Sequence, residues 1–474
     1  MTSLLKQYMD GAWVDSLGGE VHQVLNPATE LPVTQIVLGT ARDVDVAVAA
    51  ARRAFGDYSR TSLGARIALL ESVIQQYQMR IPDLVRAVSE EVGAPIGFCG
   101  VAQVPAGLGQ FMATLAALRD FPFEESVGNG RVVHEPIGVV AMITPWNWPL
   151  NQICAKLAPA LAAGNTVVLK PSEEAPSCAM ILAEILHDAG VPPGVFNLVN
   201  GRGTEVGAAL AEHADVDMVS FTGSTRAGIA VAVAAARTVK RVHQELGGKA
   251  PNLVLPGADL PTALAQTVPG IFANSGQSCI APTRLLVHRA QADVAITVTK
   301  AIAEQVQVGD PAVMGPHIGP VINATQFDKI QDLIKAAIDE GARVVSGGLG
   351  RPEGFTSGFY VRPTVLAGVT PAMRIWQEEI FGPVATVTLY DDLDEAVTLA
   401  NDTMFGLSAV VSGDPVLAAA TAHRLRAGLV TINSWATPMG LPFGGYGQSG
   451  NGREGGRFGL ADFMEVKTIA GAPA

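Results

Sequence analysis

The sequence predicts an α/β fold in two lobes, and three observations carry that expectation. Strand-like and helix-like segments alternate five times between residues 131 and 243, a pattern that builds a parallel sheet with helices on both faces. A second alternating set runs from residue 284 to residue 425. A chain of 474 residues also exceeds a single hydrophobic core and divides into two or three domains.

In chain order, residues 8–38 read as short strands with turns, Asn26-Pro27 marking one of them. Thr40-Ala41-Arg42-Asp43 matches a capping box, and Val44, Val48, Ala51 and Phe55 then recur at helical steps. Residues 62–119 continue as helix, with Leu63, Ile67, Leu70 and Val73 on one stripe; no chemistry is legible there. Residues 139–143 form a buried-strand run that Pro145-Trp146-Asn147-Trp148-Pro149 breaks, and helix follows to Ala163. Strands are then expected at 165–169, 195–199, 218–221 and 240–243, with helices at 179–188, 205–211 and 227–236. The second set has strands near 284–288, 342–346 and 384–389 and helices near 324–340, 392–401 and 415–425. Residues 463–469 alternate like an edge strand.

Composition excludes several roles. The chain is 48% hydrophobic and 16% charged, with 51 Gly and 30 Pro, which describes a loop-rich globular protein. Its net charge of −12 argues against nucleic acid or an anionic membrane as a partner. Cys99, Cys154, Cys178 and Cys279 show no CxxC pairing, no signal peptide is evident at the start, and apolar stretches such as 227–236 are too short to cross a bilayer. The expectation is a reducing cytoplasm without disulfides. His134-Glu135 begins like a zinc motif, but Pro136 follows and no second His comes at the right step, so no metal site is expected.

The candidate chemistry centres on Asn274-Ser275-Gly276-Gln277-Ser278-Cys279. A thiol at an irregular junction between helix and strand is where a nucleophile would be displayed. A buried structural Cys is the commoner fate of the residue, and the rest of the chain decides between the two. Lys170-Pro171-Ser172-Glu173 ends one strand and could hold a ribose, or could be an exposed turn. Gly201-Arg202-Gly203-Thr204-Glu205-Val206-Gly207 opens a helix with a spacing longer than GxGxxG. Phe221-Thr222-Gly223-Ser224 opens another, where backbone N–H groups suit a pyrophosphate and Ser224 could equally be an N-cap. Glu245, flanked by Leu246-Gly247-Gly248, is a candidate general base if its setting is apolar, or a surface Glu before a turn.

Glu245-Leu246-Gly247-Gly248-Lys249, Gly276-Gln277-Ser278-Cys279, Glu378-Glu379-Ile380-Phe381-Gly382-Pro383 and Pro442-Phe443-Gly444-Gly445, in this order after Pro145-Trp146-Asn147, resemble the aldehyde dehydrogenase superfamily in its NAD(P)-dependent, hydrolytic branch. The resemblance implies a Rossmann-type cofactor domain (1–117 and 137–247), a second α/β catalytic domain (248–447), and a small β oligomerisation or bridging element (118–136 and 448–474). It implies oxidation of an aldehyde to its acid through a Cys279 thioester, with Asn147 on the oxyanion, Glu245 activating the deacylating water, and Lys156 near the thiol or oxyanion. A CoA-acylating enzyme, in which a thiol replaces water, is the alternative that Glu245 speaks against. Trp146, Lys170, Glu173, Gly203, Phe221, Gly223, Ser224, Leu246, Glu379 and Phe381 would contact the cofactor. That cofactor is NAD, with NADP as the alternative, because an acid at Glu173 would repel a 2′-phosphate. Trp148 and Phe443 would wall a roomy apolar pocket, Thr437 being small and Cys154 and Ala155 standing where many relatives carry bulk. A homodimer or homotetramer is implied as well.

Overall fold

The computed structural model describes residues 2–471. Its largest sheet has eight strands, in spatial order Gly450–Asn451, Arg241–Glu245, Met218–Thr222, Val139–Ile143, Thr166–Lys170, Phe196–Leu198, Lys6–Met9 and Ala12–Asp15. The five from Arg241–Glu245 to Phe196–Leu198 run parallel, and the flanking strands are antiparallel. Every residue of Val139–Ile143 and Thr166–Lys170 is buried, as central parallel strands covered on both faces require. The chain moves outward from Val139–Ile143 through Thr166–Lys170 to Phe196–Leu198. It then returns to Met218–Thr222 and proceeds the other way. A crevice opens past the strand carboxyl ends at that reversal.

The second sheet runs Arg343–Ser346, Thr364–Ala367, Val384–Tyr390, Arg284–His288, Pro251–Val254, Ser408–Ser412 and Leu429–Ile432, all parallel except the first. Cys279 immediately precedes Arg284–His288 and Glu379 precedes Val384–Tyr390. The second lobe thus contributes the amino ends of its strands, while the first contributes carboxyl ends.

Glu124–Val127, Gly130–Pro136 and Met464–Ala470 form a three-stranded sheet with Gly130–Pro136 in the middle. Gly450–Asn451, grouped with that bridging element by sequence, instead pairs with Arg241–Glu245 at the edge of the large sheet. Thr40 does cap the helix Ala41–Tyr58: its backbone N–H donates to Asp43 Oδ2 at 2.9 Å. One expectation about apolar stretches fails. The helical run Ile96–Arg119 is long and apolar enough, by length and composition, to cross a membrane. In the fold its Phe111, Leu115 and Leu118 are buried in the core of the first lobe. All four cysteines are free.

Candidate active site

The thiol loop is shaped by backbone. After Pro269–Phe272, Asn274 (φ 53°) and Ser275 (φ 57°) are both left-handed, a conformation that costs non-glycine residues free energy and that surrounding contacts must enforce. Asn274 Nδ2 donates to the carbonyls of Asn147 (3.0 Å) and Gln277 (3.2 Å), and Ser275 Oγ donates to the Gly319 carbonyl at 2.8 Å. Gly276 lies so close to Gly382 that a Cβ would sit 2.1 Å from its carbonyl carbon. A Cβ on Gly248 would lie 2.3 Å from the Cys279 carbonyl oxygen. These glycines let three segments meet around one sulfur.

Asn147 is buried, and its Nδ2 donates to the Gln277 carbonyl at 3.0 Å. An amide nitrogen has two donor hydrogens, so the second remains for a ligand. Gln103 Nε2 braces both sides of this arrangement, donating to Asn147 O and Asn274 Oδ1 at 3.0 Å each. Gln103 closes the π-helical turn Cys99–Gln103, a distortion common at functional sites. Sequence reading missed it because it lies in the helical quarter where no chemistry was legible.

Two chambers meet at the thiol. One, of about 220 Å³, is bordered by Trp146, Gly223, Ser224, Leu246, Glu379 and Phe381, all of them sequence candidates, and also by Asn147. The other, of about 480 Å³, is walled by Trp148, Trp435, Met439, Leu441 and Phe443. Cys279 and Gln152 border both. Gln152 and Trp435 carried no signal in the sequence. Trp435 packs on Gly270, where a Cβ would lie 2.7 Å from its ring. Trp148 Nε1 donates to Ser278 Oγ at 2.8 Å, tying this wall to the thiol loop. Cys154 and Ala155 are buried inside the helix Pro149–Ala163 and line neither chamber, so their small size does not set the pocket. Thr437 does border it.

The smaller chamber suits a dinucleotide. Phe381 holds a left-handed φ of 59° in a loop braced by Gln326 Nε2, which donates to the carbonyls of Ile380 and Phe381. Its ring meets Trp146 edge-on, centroids 5.4 Å apart. Glu379 Oε1 accepts from the Gly248 N–H at 2.9 Å. Ser224 is an N-cap, its hydroxyl accepting from the Ala227 N–H, and the helix it caps, Thr225–Ala235, turns its positive end to the chamber. Lys329 adds an unforeseen cation. Phe221 does not belong here. It is a buried strand residue whose ring packs beneath Gly223, where a Cβ would lie 2.6 Å from it. Lys170, Glu173 and Gly203 form a separate group on the same sheet edge. Lys170 bonds Glu173 at 2.5 Å. Burial pushes the Glu173 carboxyl up, but Lys170 and the Gly203 N–H outweigh it and hold the group below its usual range. Nothing lies within 4 Å of a Cβ built on Gly203, leaving the space a ribose or adenine would need.

Glu245 ends its strand, buried. Burial foremost, then the Glu454 charge, raises its pKa to about 7, against opposing pulls from His243 and Lys156. It borders neither chamber directly; its Oε1 would be 2.7 Å from a Cβ on Gly444, and Gly444 follows the pocket wall Phe443. Lys156 is fully buried and pairs with Glu454. It lines neither chamber, and its Nζ bonds Glu454, which borders the larger one. Burial, then the Glu379 and Glu245 carboxylates, pushes the Cys279 thiol well above its ordinary range. Alkylation of the free enzyme by iodoacetamide is therefore expected to keep accelerating above pH 9, because the raised pKa delays thiolate formation; a plateau at the ordinary thiol pKa near ~8.5 would contradict this electrostatic picture.

The sequence profile of the aldehyde dehydrogenase family matches residues 13–469. The chain belongs to the aldehyde dehydrogenase family. A 3-succinoylsemialdehyde-pyridine dehydrogenase from a Pseudomonas species is 51% identical over 466 residues, covering 98% of each chain. The crystal structure of an aldehyde dehydrogenase from Bartonella henselae superposes with a TM-score of 0.97 at 45% identity, over 99% of this chain and 100% of the other. Aldehyde dehydrogenase C from Pseudomonas syringae, solved as a Cys-to-Ala mutant with NAD+ and octanal, superposes with a TM-score of 0.97 at 49% identity, over 99% and 97% of the two chains. Like the family, this aldehyde dehydrogenase is an NAD(P)-dependent oxidoreductase that converts aldehydes to acids.

Proposed function

We propose that Cys279 is the nucleophile of this aldehyde dehydrogenase, Asn147 its oxyanion donor and Glu245 the base of deacylation, and that its substrates are uncharged, apolar aldehydes. One observation carries the assignment: Cys279 is shared by the dinucleotide-sized chamber and the apolar one. Once the thiol has lost its proton to solvent, the thiolate attacks the aldehyde: the Sγ–C bond forms, the carbonyl π bond breaks and an alkoxide is left. The free Asn147 amide hydrogen, beside the Cys279 backbone N–H, receives that charge; a single such donor contributes about 2.7–4 kcal/mol. Re-forming the carbonyl from the alkoxide expels hydride and leaves a thioester on Sγ; NAD+, which Trp146, Ser224, Leu246, Glu379 and Phe381 would hold, would supply the hydride acceptor. Water then adds to the thioester carbon while Glu245 takes its proton, the Sγ–C bond breaks, and the acid leaves. A carboxylate with a pKa of about 7 is matched to that task at neutral pH. Glu173, held ionised by Lys170, supports NAD over NADP, since it would repel a 2′-phosphate.

The substrate class rests on the larger chamber. Its walls are Trp148, Trp435, Met439, Leu441 and Phe443, and among the described residues Glu454 is the only charged one that borders it. Among those residues no cation lines it to receive a substrate carboxylate. Octanal, present in the Pseudomonas syringae structure, is of the proposed kind. Octanal is expected to exceed succinic semialdehyde in kcat/KM by at least about tenfold, or 1.4 kcal/mol; equal values would refute the substrate class.

A further inference from the structure

His243 precedes Glu245 by two positions on the strand Arg241–Glu245. Side chains two apart share a strand face, and the two are neighbours: His243 Nε2 lies 3.5 Å from Glu245 Oε1. On the imidazole's other side, Nδ1 lies 2.5 Å from Asp462 Oδ2, at the end of the helix Gly456–Asp462. His243 is fully buried, whereas the Asp462 side chain is 24% exposed. Gly452 presses on this pair so tightly that a Cβ would lie 2.9 Å from the ring and 3.1 Å from Asp462 Oδ2. Arg241, on the same strand, donates to the backbone carbonyls of Asp462 (3.0 Å) and Met464 (2.7 Å). The helix end is thereby pinned against the strand that carries the base.

We propose that His243, held by Asp462, is a positioning residue that keeps a positive charge against Glu245 and so sets the pH at which the deacylating base becomes available. This rests on Glu245 being that base. The charged groups facing the imidazole are Asp462 from the helix, Glu454 from the loop before it, and Glu245 on its own strand; Lys156, from the helix Pro149–Ala163, faces Glu454 and Glu245. Three carboxylates therefore surround one imidazole. Burial alone would lower its pKa, but Asp462 and Glu245 outweigh burial and raise it to about 9. The ring holds its proton at neutral pH, while burial and Glu454 press Glu245 toward protonation and the imidazolium resists them.

The sign of the effect follows. Without the imidazolium, Glu245 loses a stabilising charge and binds its proton to a higher pH. The test is the thioester decay rate in single-turnover reactions with octanal and NAD+, measured from pH 5.5 to 9. In His243→Asn the acid limb is expected to move up by about one pH unit, the lower end of what an opposite charge at this range supplies. In Asp462→Asn the imidazole loses its partner and the limb should move the same way by less. A lowered Tm with an unmoved acid limb would make the pair purely structural and overturn the proposal. Should His243→Asn fail to fold, Asp462→Asn, changed at a partly exposed side chain, decides alone. Glu245→Gln separates the two layers: if thioester decay stays fast in that variant, the base assignment fails. If decay collapses there while neither other variant shifts the limb, only the role of His243 fails.

Discussion

Cys279→Ala is expected to remove NADH formation from octanal by on the order of 10⁴-fold or more, the scale of loss when a catalytic nucleophile is deleted. The fold should survive the change. The loop is held by Asn274, Ser275 and Gln277, whose side chains reach the carbonyls of Asn147 and Gly319 and the N–H of Ile322, and by the close approach of Gly276 to Gly382. None of these contacts uses the sulfur. NAD+ binding, followed by fluorescence quenching, should therefore persist while turnover vanishes. Undiminished turnover would show that another group carries the attack, and the shared boundary of the two chambers would lose its meaning.

Glu245→Gln should divide the reaction at its midpoint. Gln has nearly the shape of Glu but cannot accept the water proton, and the loss from removing a positioned general base is about 10²–10⁴-fold. The step before it is spared. The Glu245 charge is one of the influences that raise the Cys279 thiol, so its removal does not hinder attack. Rapid mixing with octanal and NAD+ should show a burst approaching one NADH per thiol, followed by a slow steady rate. A full steady rate would exclude Glu245 as the base. A lost burst would instead assign it to acylation.

Local sequence carried the chemistry further than it carried the packing around it. Cys279 is legible from its place at an irregular helix-to-strand junction, whereas Asn147 and Glu379 are legible only through the family resemblance of the short runs that hold them; the glycine at 248 in one such run has a local reason, since a Cβ there would lie 2.3 Å from the Cys279 carbonyl oxygen. Gln103 and Asp462 act across 44 and 219 residues, on Asn147 and His243, and no local pattern reports such distances. His243 itself carries a signal, a titratable residue two steps from Glu245 on one strand face. Phe221 is buried beneath Gly223, and an apolar residue at a strand end does not disclose in sequence whether it faces the crevice or the layer beneath. The strands Pro251–Val254, Thr364–Ala367, Ser408–Ser412 and Leu429–Ile432 went unread for a related reason. They are four or five residues long, a length at which a strand is recognised by the turn signals and helices around it rather than by its own period.

The segment from Trp435 to Leu441 has neither helix nor strand, yet it supplies much of the wall of the larger chamber. Glu245 and Cys279, the proposed reacting groups, sit apart from it, on a strand end and after a kinked turn clamped by glycines. Selection can thus remodel what the enzyme accepts by exchanging side chains along one irregular stretch, leaving the machinery that oxidises the carbonyl untouched.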